Sequence, residues 1–132
     1  MINTSRKRLL VAGLELFLAL FLMVGIWFAL PARWWPIDVG GTLLGCLLAF
    51  GGMGLLKNWR FGWVLSTAVN WIALIVGITL VTVLAWTAAH LVGLYGPVGG
   101  GGALLLGAVA VLVLPYLVGL PALLLFILRP VK

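Results

Sequence analysis

Residues 9–30 read LLVAGLELFLALFLMVGIWFAL, an apolar run that is interrupted by a single acid, Glu15. A helix rises about 1.5 Å per residue, so this run reaches roughly 33 Å and can cross a hydrocarbon core of about 30 Å. The apolar region of a signal peptide is shorter, at about 7–15 residues, so we expect this helix to be retained. The run therefore predicts a membrane-spanning helix that carries an ionisable group.

The composition of the whole chain agrees with this interpretation. Of its 132 residues, 65% are hydrophobic and only 8% are charged, and the mean hydropathy is +1.33. Soluble domains, in contrast, are about 25% charged. Four spans of about 20 residues would occupy most of the chain and leave no room for a soluble catalytic or receptor domain. We therefore expect a single transmembrane domain over residues 1–132.

Breaks in the apolar pattern divide the chain into four predicted spans. Pro31 ends the first span, because proline disfavours helix in the residue before it. The polar turn 57–60 makes the second and third spans a helical hairpin. Residues 91–102, LVGLYGPVGGGG, predict a flexible loop, since glycine and proline weaken an exposed helix. The predicted spans are residues 9–30, 39–56, 61–89 and 103–128. The predicted fold class is an all-α membrane protein, a four-helix transmembrane bundle.

The basic residues indicate how the four spans are oriented. With four spans, the N-terminus, the 57–60 turn and the C-terminus share one side of the membrane. Seven of the eight Lys and Arg residues fall there: Arg6, Lys7, Arg8, Lys57, Arg60, Arg129 and Lys132. Because short cytoplasmic loops are rich in Lys and Arg, this bias predicts a multi-pass plasma-membrane protein with both termini in the cytoplasm. Positive charge that is scattered over span ends does not indicate a nucleic-acid partner.

Small residues and prolines predict how two of the spans pack. Gly41, Gly45 and Ala49 fall four apart on one face of the second span, where another helix can approach closely. The partner helix, from this chain or another, stays open. In the fourth span, Pro115 and Pro121 each remove a backbone donor, which predicts a kinked helix.

Glu15 is the first candidate for a functional residue, because an acid inside a span is energetically costly. It lies roughly 9 Å inside the first span, at a depth similar to that of Asn70 in the third, so a hydrogen bond between them is expected. The functional interpretation is a proton or cation site, or a contact for a cationic substrate. The structural interpretation is a polar contact between helices, or an acid that reaches back to the interface near residues 6–8 or Arg60.

Two aromatic residues, Tyr116 and Trp71, fall near mid-membrane by residue count. Large aromatic side chains with a polar group usually face protein at that depth. We expect them to pack, Tyr116 beside the Pro115 kink, although a pocket that they line together with Asn70 is the alternative.

No set of residues in the sequence is typical of an enzyme or a metal site. The two acids, Glu15 and Asp38, are expected on different sides of the membrane. The one histidine, His90, has no carboxylate or second histidine near it in the sequence, and the one cysteine, Cys46, lies in an apolar run. We therefore expect no enzymatic activity, no catalytic residue, no metal and no cofactor.

Two functions agree with these features. The first is a structural or accessory subunit that packs against partner transmembrane helices in the bilayer, or against a second copy of itself. The second is a small oligomeric proton-coupled transporter or channel that uses Glu15. Four spans in a short chain, with one acid in the first span, resemble the small multidrug resistance transporters, and that resemblance implies transport. It rests on Glu15 and on architecture and includes no sequence motif, and the long third span and the proline-bent fourth span depart from it.

Overall fold

The computed structural model describes residues 4–29 and 33–128, and almost all of them are helical. The helices are α1 (Thr4–Val24), α2 (Trp35–Leu56), α3 (Arg60–Leu114) and α4 (Leu120–Leu128). Two π-helical segments, Gly25–Ala29 and Pro115–Gly119, follow α1 and α3. The described residues contain no strand, so the all-helical prediction is confirmed. The proposed end of the first span at Leu30 and Pro31 and the terminal basic residues Arg129 and Lys132 lie outside the described residues.

Three helical runs are long and apolar enough to cross a membrane, namely Ser5–Phe28, Trp35–Leu56 and Arg60–Leu128. The first two coincide with the first two predicted spans. The third contains both of the remaining predicted spans, and a break in its backbone lies at Gly96.

The prediction of a flexible loop over residues 91–102 is wrong. The chain is helical on both sides of Gly96, and only that residue takes non-helical angles, with φ 56° and ψ −137°. A positive φ is accessible to glycine at no steric cost. Pro97 then stands at the start of the returning helix, where its missing N–H would have no helical partner in any case. The glycines on either side of Gly96 are all helical.

By their contacts, residues 73–121 form one compact unit and residues 1–72 with 122–132 form another. In the unit 73–121, the helix reverses at Gly96 and returns along itself. A Cβ atom built on Gly77 would lie 2.1 Å from the Leu117 carbonyl oxygen, and one on Gly99 would lie 2.1 Å from the Leu91 carbonyl oxygen. Since only glycine leaves room for such contacts, the two arms of this hairpin meet backbone to backbone.

Two of the three prolines of this unit lie in or just after the π-helical segment Pro115–Gly119, namely Pro115 and Pro121. The N–H of Leu120 donates a hydrogen bond to the Pro115 carbonyl oxygen, which is the wider spacing of a π-helix. Pro121 follows directly and has no N–H to donate to the preceding turn. A π-helical segment is one of the recognised ways in which a helix accommodates such a lost bond.

In the other unit, α1 packs along α2, and α3 starts close against the end of α2. The small residues predicted to form a packing face lie partly on this contact. A Cβ on Gly41 would collide with Ile26, and one on Gly45 would lie 3.2 Å from Met23 Cε. The helix that approaches Gly41 and Gly45 is therefore the first helix of the same chain. Ala49 is half-buried.

The closest backbone contact of this unit joins α2 to α3. A Cβ on Gly62 would lie 2.5 Å from the carbonyl carbon of Gly54. The buried faces of the helices in this unit form a small apolar core. It consists of Val11, Ala12, Leu55, Leu124 and Leu128.

Gly62→Ala is expected to destabilise the fold. The new methyl group would overlap the backbone of Gly54, which cannot rotate away as the end of a side chain can, and overpacking of this kind costs about 1–3 kcal/mol. The melting temperature of the purified protein in detergent should fall accordingly, as measured by circular dichroism. Gly13→Ala is the matched control, because a Cβ on that helical glycine meets nothing within 4 Å. Equal melting temperatures in the two variants would contradict the backbone contact.

Candidate functional site

Glu15 is fully buried, with 0% of its surface exposed. It belongs to the inward face of α1, where Val11, Ala12, Leu18 and Ala19 are also buried. These residues recur three and four positions apart, which is the spacing of one helical face. The helical period alone therefore places the carboxylate inside the unit, among apolar neighbours.

Two side chains of α3 donate hydrogen bonds to this carboxylate. Ser66 Oγ and Asn70 Nδ2 both donate to Glu15 Oε1. Asn70 Nδ2 also donates to the Ser66 carbonyl oxygen, at 2.9 Å. Ser66 and Asn70 are four residues apart and therefore point from the same face of α3. We name Glu15, Ser66 and Asn70 the polar cluster.

Helix α2 makes room for the polar cluster through two glycines. A Cβ on Gly51 would lie 3.3 Å from Glu15 Oε2 and 3.4 Å from the Ser66 Cα atom, and a Cβ on Gly52 would lie 3.4 Å from Glu15 Cβ. A larger side chain at position 51 would push against the carboxylate, and one at position 52 would push against the backbone and side chains of α1. Three helices thus enclose Glu15.

The hydrogen bonds of the polar cluster leave two acceptors unused. Glu15 Oε2 and Asn70 Oδ1 are buried and have no hydrogen-bond partner within the described part of the chain. A buried acceptor without a donor costs about 1–3 kcal/mol. A proton or a small cation at these oxygens would supply what they lack, so the arrangement has the chemistry of a binding site for a positive charge as well as that of a structural contact.

The hydrogen bond expected between Glu15 and Asn70 is confirmed. Tyr116 is half-buried and lies in the unit 73–121, apart in sequence from the polar cluster. Trp71 was expected to pack, but its side chain is 52% exposed, because it points away from the face that carries Asn70. The sequence analysis left Ser66 and Gly51 out of the candidate site. The four-residue spacing between Ser66 and Asn70 could have indicated the first.

A second group of polar side chains lies at the far end of α1 and the start of α2. Arg33 Nη1 lies 3.9 Å from Asp38 Oδ1, and the guanidinium group lies 4.6 Å from the centre of the Trp27 ring. Trp27 Nε1 donates to Thr42 Oγ1 at 3.2 Å. Arg33 gives Asp38 a charged partner, and Asp38 Oδ1 has no hydrogen-bond partner within the described part of the chain.

The remaining titratable residues do not form a metal site. Within residues 4–29 and 33–128, no group of three His, Cys, Asp or Glu side chains could hold a metal ion. His90 stacks on Trp86, with ring centres 5.0 Å apart, and Cys46 is an exposed free thiol.

Comparison of the chain with protein-family models, with curated proteins and with solved structures finds no match. The polar cluster must therefore be interpreted from its own geometry.

Asn70→Ala is expected to destabilise the protein by about 1–3 kcal/mol, because a buried carboxylate would lose one of its two side-chain donors. The measurement is the melting temperature in detergent, compared with wild type. Thr79→Ala is the control, because Thr79 Oγ1 donates only to the Ile75 carbonyl oxygen of its own helix, at 2.8 Å, on an exposed surface. If Asn70→Ala melts at the wild-type temperature, the polar cluster does not hold α1 against α3.

Proposed function

We propose that this chain is a plasma-membrane protein of four transmembrane helices with both termini in the cytoplasm, built as a single transmembrane domain. Its proposed role is that of a structural or accessory subunit, which packs against partner transmembrane helices. The reversal at Gly96 supports the count of four, because it divides the run Arg60–Leu128 into two arms. The distribution of Lys and Arg supports the orientation.

The observation that carries the proposed role is the exposure of Trp71. This residue lies eleven positions after the start of α3 at Arg60. At about 1.5 Å per residue it is roughly 16 Å from the helix start, near the middle of a hydrocarbon core of about 30 Å. Tryptophan is otherwise enriched at the two interfaces of a membrane. An indole that is uncovered at this depth fits a contact with another protein helix better than a contact with lipid.

The enclosure of Glu15 agrees with a structural role. Its carboxylate accepts hydrogen bonds from α3, and the glycines of α2 lie against it. The one acid of the first span therefore holds helices together. A partner surface made of Trp71 and apolar neighbours would then lie on the outside of a rigid unit.

A photo-crosslinking amino acid in place of Trp71 should give one adduct of defined mass when cells that express the chain are irradiated. The same amino acid in place of Phe17 is the matched control, because Phe17 is 51% exposed and also lies within a span. The adduct mass separates a partner subunit from a second copy of this chain. Adducts of equal yield from both positions, or from neither, would argue against a partner at Trp71.

The second candidate function is a small oligomeric proton-coupled transporter or channel that uses Glu15. The unused acceptors Glu15 Oε2 and Asn70 Oδ1 favour it, because a bound proton or cation would satisfy them.

For the transport function, Glu15→Gln in proteoliposomes should abolish proton flux, as followed with a pH-sensitive dye, because glutamine cannot exchange a proton at this position. Asp38→Asn is the control, since it removes the other acid of the chain and should keep the flux. If the wild-type protein carries no proton flux, or if Glu15→Gln carries an unchanged flux, the transport function is contradicted. The structural role is then the function that remains.

A further inference from the structure

A basic cluster forms where α1 and α3 begin. Arg8 Nη1 donates to Asn58 Oδ1 at 2.5 Å, which brings the start of α1 against the turn that precedes α3. The basic residues of both segments therefore come together at one end of the unit. The basic cluster consists of Arg6, Lys7, Arg8, Lys57 and Arg60.

Within residues 4–29 and 33–128, no acidic side chain pairs with this cluster. The sequence holds only two acids. Glu15 is buried and bonded to Ser66 and Asn70, and Asp38 lies beside Arg33 at the other end of α1. The first turns of α1 and α3 contain no acidic residue. Because each helix N-terminus carries about half a positive charge, two helix ends add to the five basic side chains. An anion from outside the chain would therefore meet several basic side chains together.

An exposed apolar face of α1 adjoins the basic cluster. Ser5, Arg6, Leu9 and Leu10 lie next to one another on this face, which is shallow and largely open. Leu9 and Leu10 are both exposed. Trp59 is exposed beside the cluster, and the Lys57 ammonium group lies 5.4 Å from the centre of its ring. Basic side chains next to an exposed apolar helix face match a molecule with an anionic head and a hydrocarbon tail.

We propose that this end of the protein binds an anionic phospholipid, with the headgroup phosphate on the basic cluster and an acyl chain along Leu9 and Leu10. The proposal rests on the proposed membrane location, and it adds a specific ligand to it. Basic residues placed directly at the cytoplasmic end of a span are attracted to anionic lipids, and each contributes about 1 kcal/mol. A soluble phosphate would contact only the basic cluster, whereas a lipid would contact both the basic cluster and the apolar face that carries Leu9 and Leu10.

A measurement of lipid selectivity tests this proposal directly. Detergent-purified protein is mixed with equal amounts of phosphatidylglycerol and phosphatidylcholine, and the lipids retained on the folded protein are counted by native mass spectrometry. Wild type should retain phosphatidylglycerol in preference. In the double variant Arg6→Gln/Lys57→Gln, this preference should decrease about fivefold for each charge removed, which corresponds to about 1 kcal/mol per basic residue. Arg33→Gln is the control, because it removes a cation at the other end of α1 and should leave the preference unchanged.

Three outcomes would overturn the lipid site. They are equal retention of the two lipids by wild type, an equal loss in Arg33→Gln, and displacement of phosphatidylglycerol by excess inorganic phosphate, which would indicate a soluble anion. If the double variant fails to fold, a salt titration of the wild-type protein tests the lipid site instead. The preference for phosphatidylglycerol must then fall as salt screens the headgroup charge, and a preference that does not change with salt would overturn the site. Extraction of the chain from cell membranes with alkaline carbonate tests the membrane location separately, so one conclusion can fail without the other.

Discussion

The carboxylate of Glu15 is the constraint around which the first unit is arranged. An acid in an apolar helix must find donors, and Ser66 and Asn70 supply them from one face of α3. Because these donors lie at fixed positions, the hydrogen bonds set the register of α1 against α3. Gly51 then allows α2 to close over the same group. Apolar packing alone would tolerate a sliding of these helices, whereas the polar cluster specifies one alignment.

Glycine has a second part in this fold, since it lets backbones meet. Gly54 against Gly62 and Gly77 against Leu117 are contacts that no other residue type would allow. In a surrounding without water, helices gain little from burying apolar side chains against one another, so close backbone packing contributes more of the association energy. The cost of glycine in a helix is also lower there, because an unfolded backbone would lose its internal hydrogen bonds.

Much of this structure could be predicted from the sequence, and the failures have physical reasons. Apolar run lengths predicted helices, and equal depth predicted the bond between Glu15 and Asn70. Residues 91–102 were predicted wrongly because helix-breaking tendency was counted over the whole stretch, whereas a single glycine with positive φ, Gly96, is enough to interrupt the helix. Gly51 could not have been found, since its place beside the carboxylate depends on the rotation of α2, which the sequence pattern does not specify. Trp71 was misplaced because residue count gives depth but not the direction of a side chain.

The geometry of the polar cluster also limits what Glu15 could bind. Both donors bond to Oε1, so Oε2 can accept a proton without loss of either hydrogen bond. A larger cation would need space on the side where Gly51 approaches, and there a single added carbon atom would already lie 3.3 Å from Oε2. A proton on Oε2 needs no such space. Among positive charges, the proton is the one that the structural role and a transport role could share.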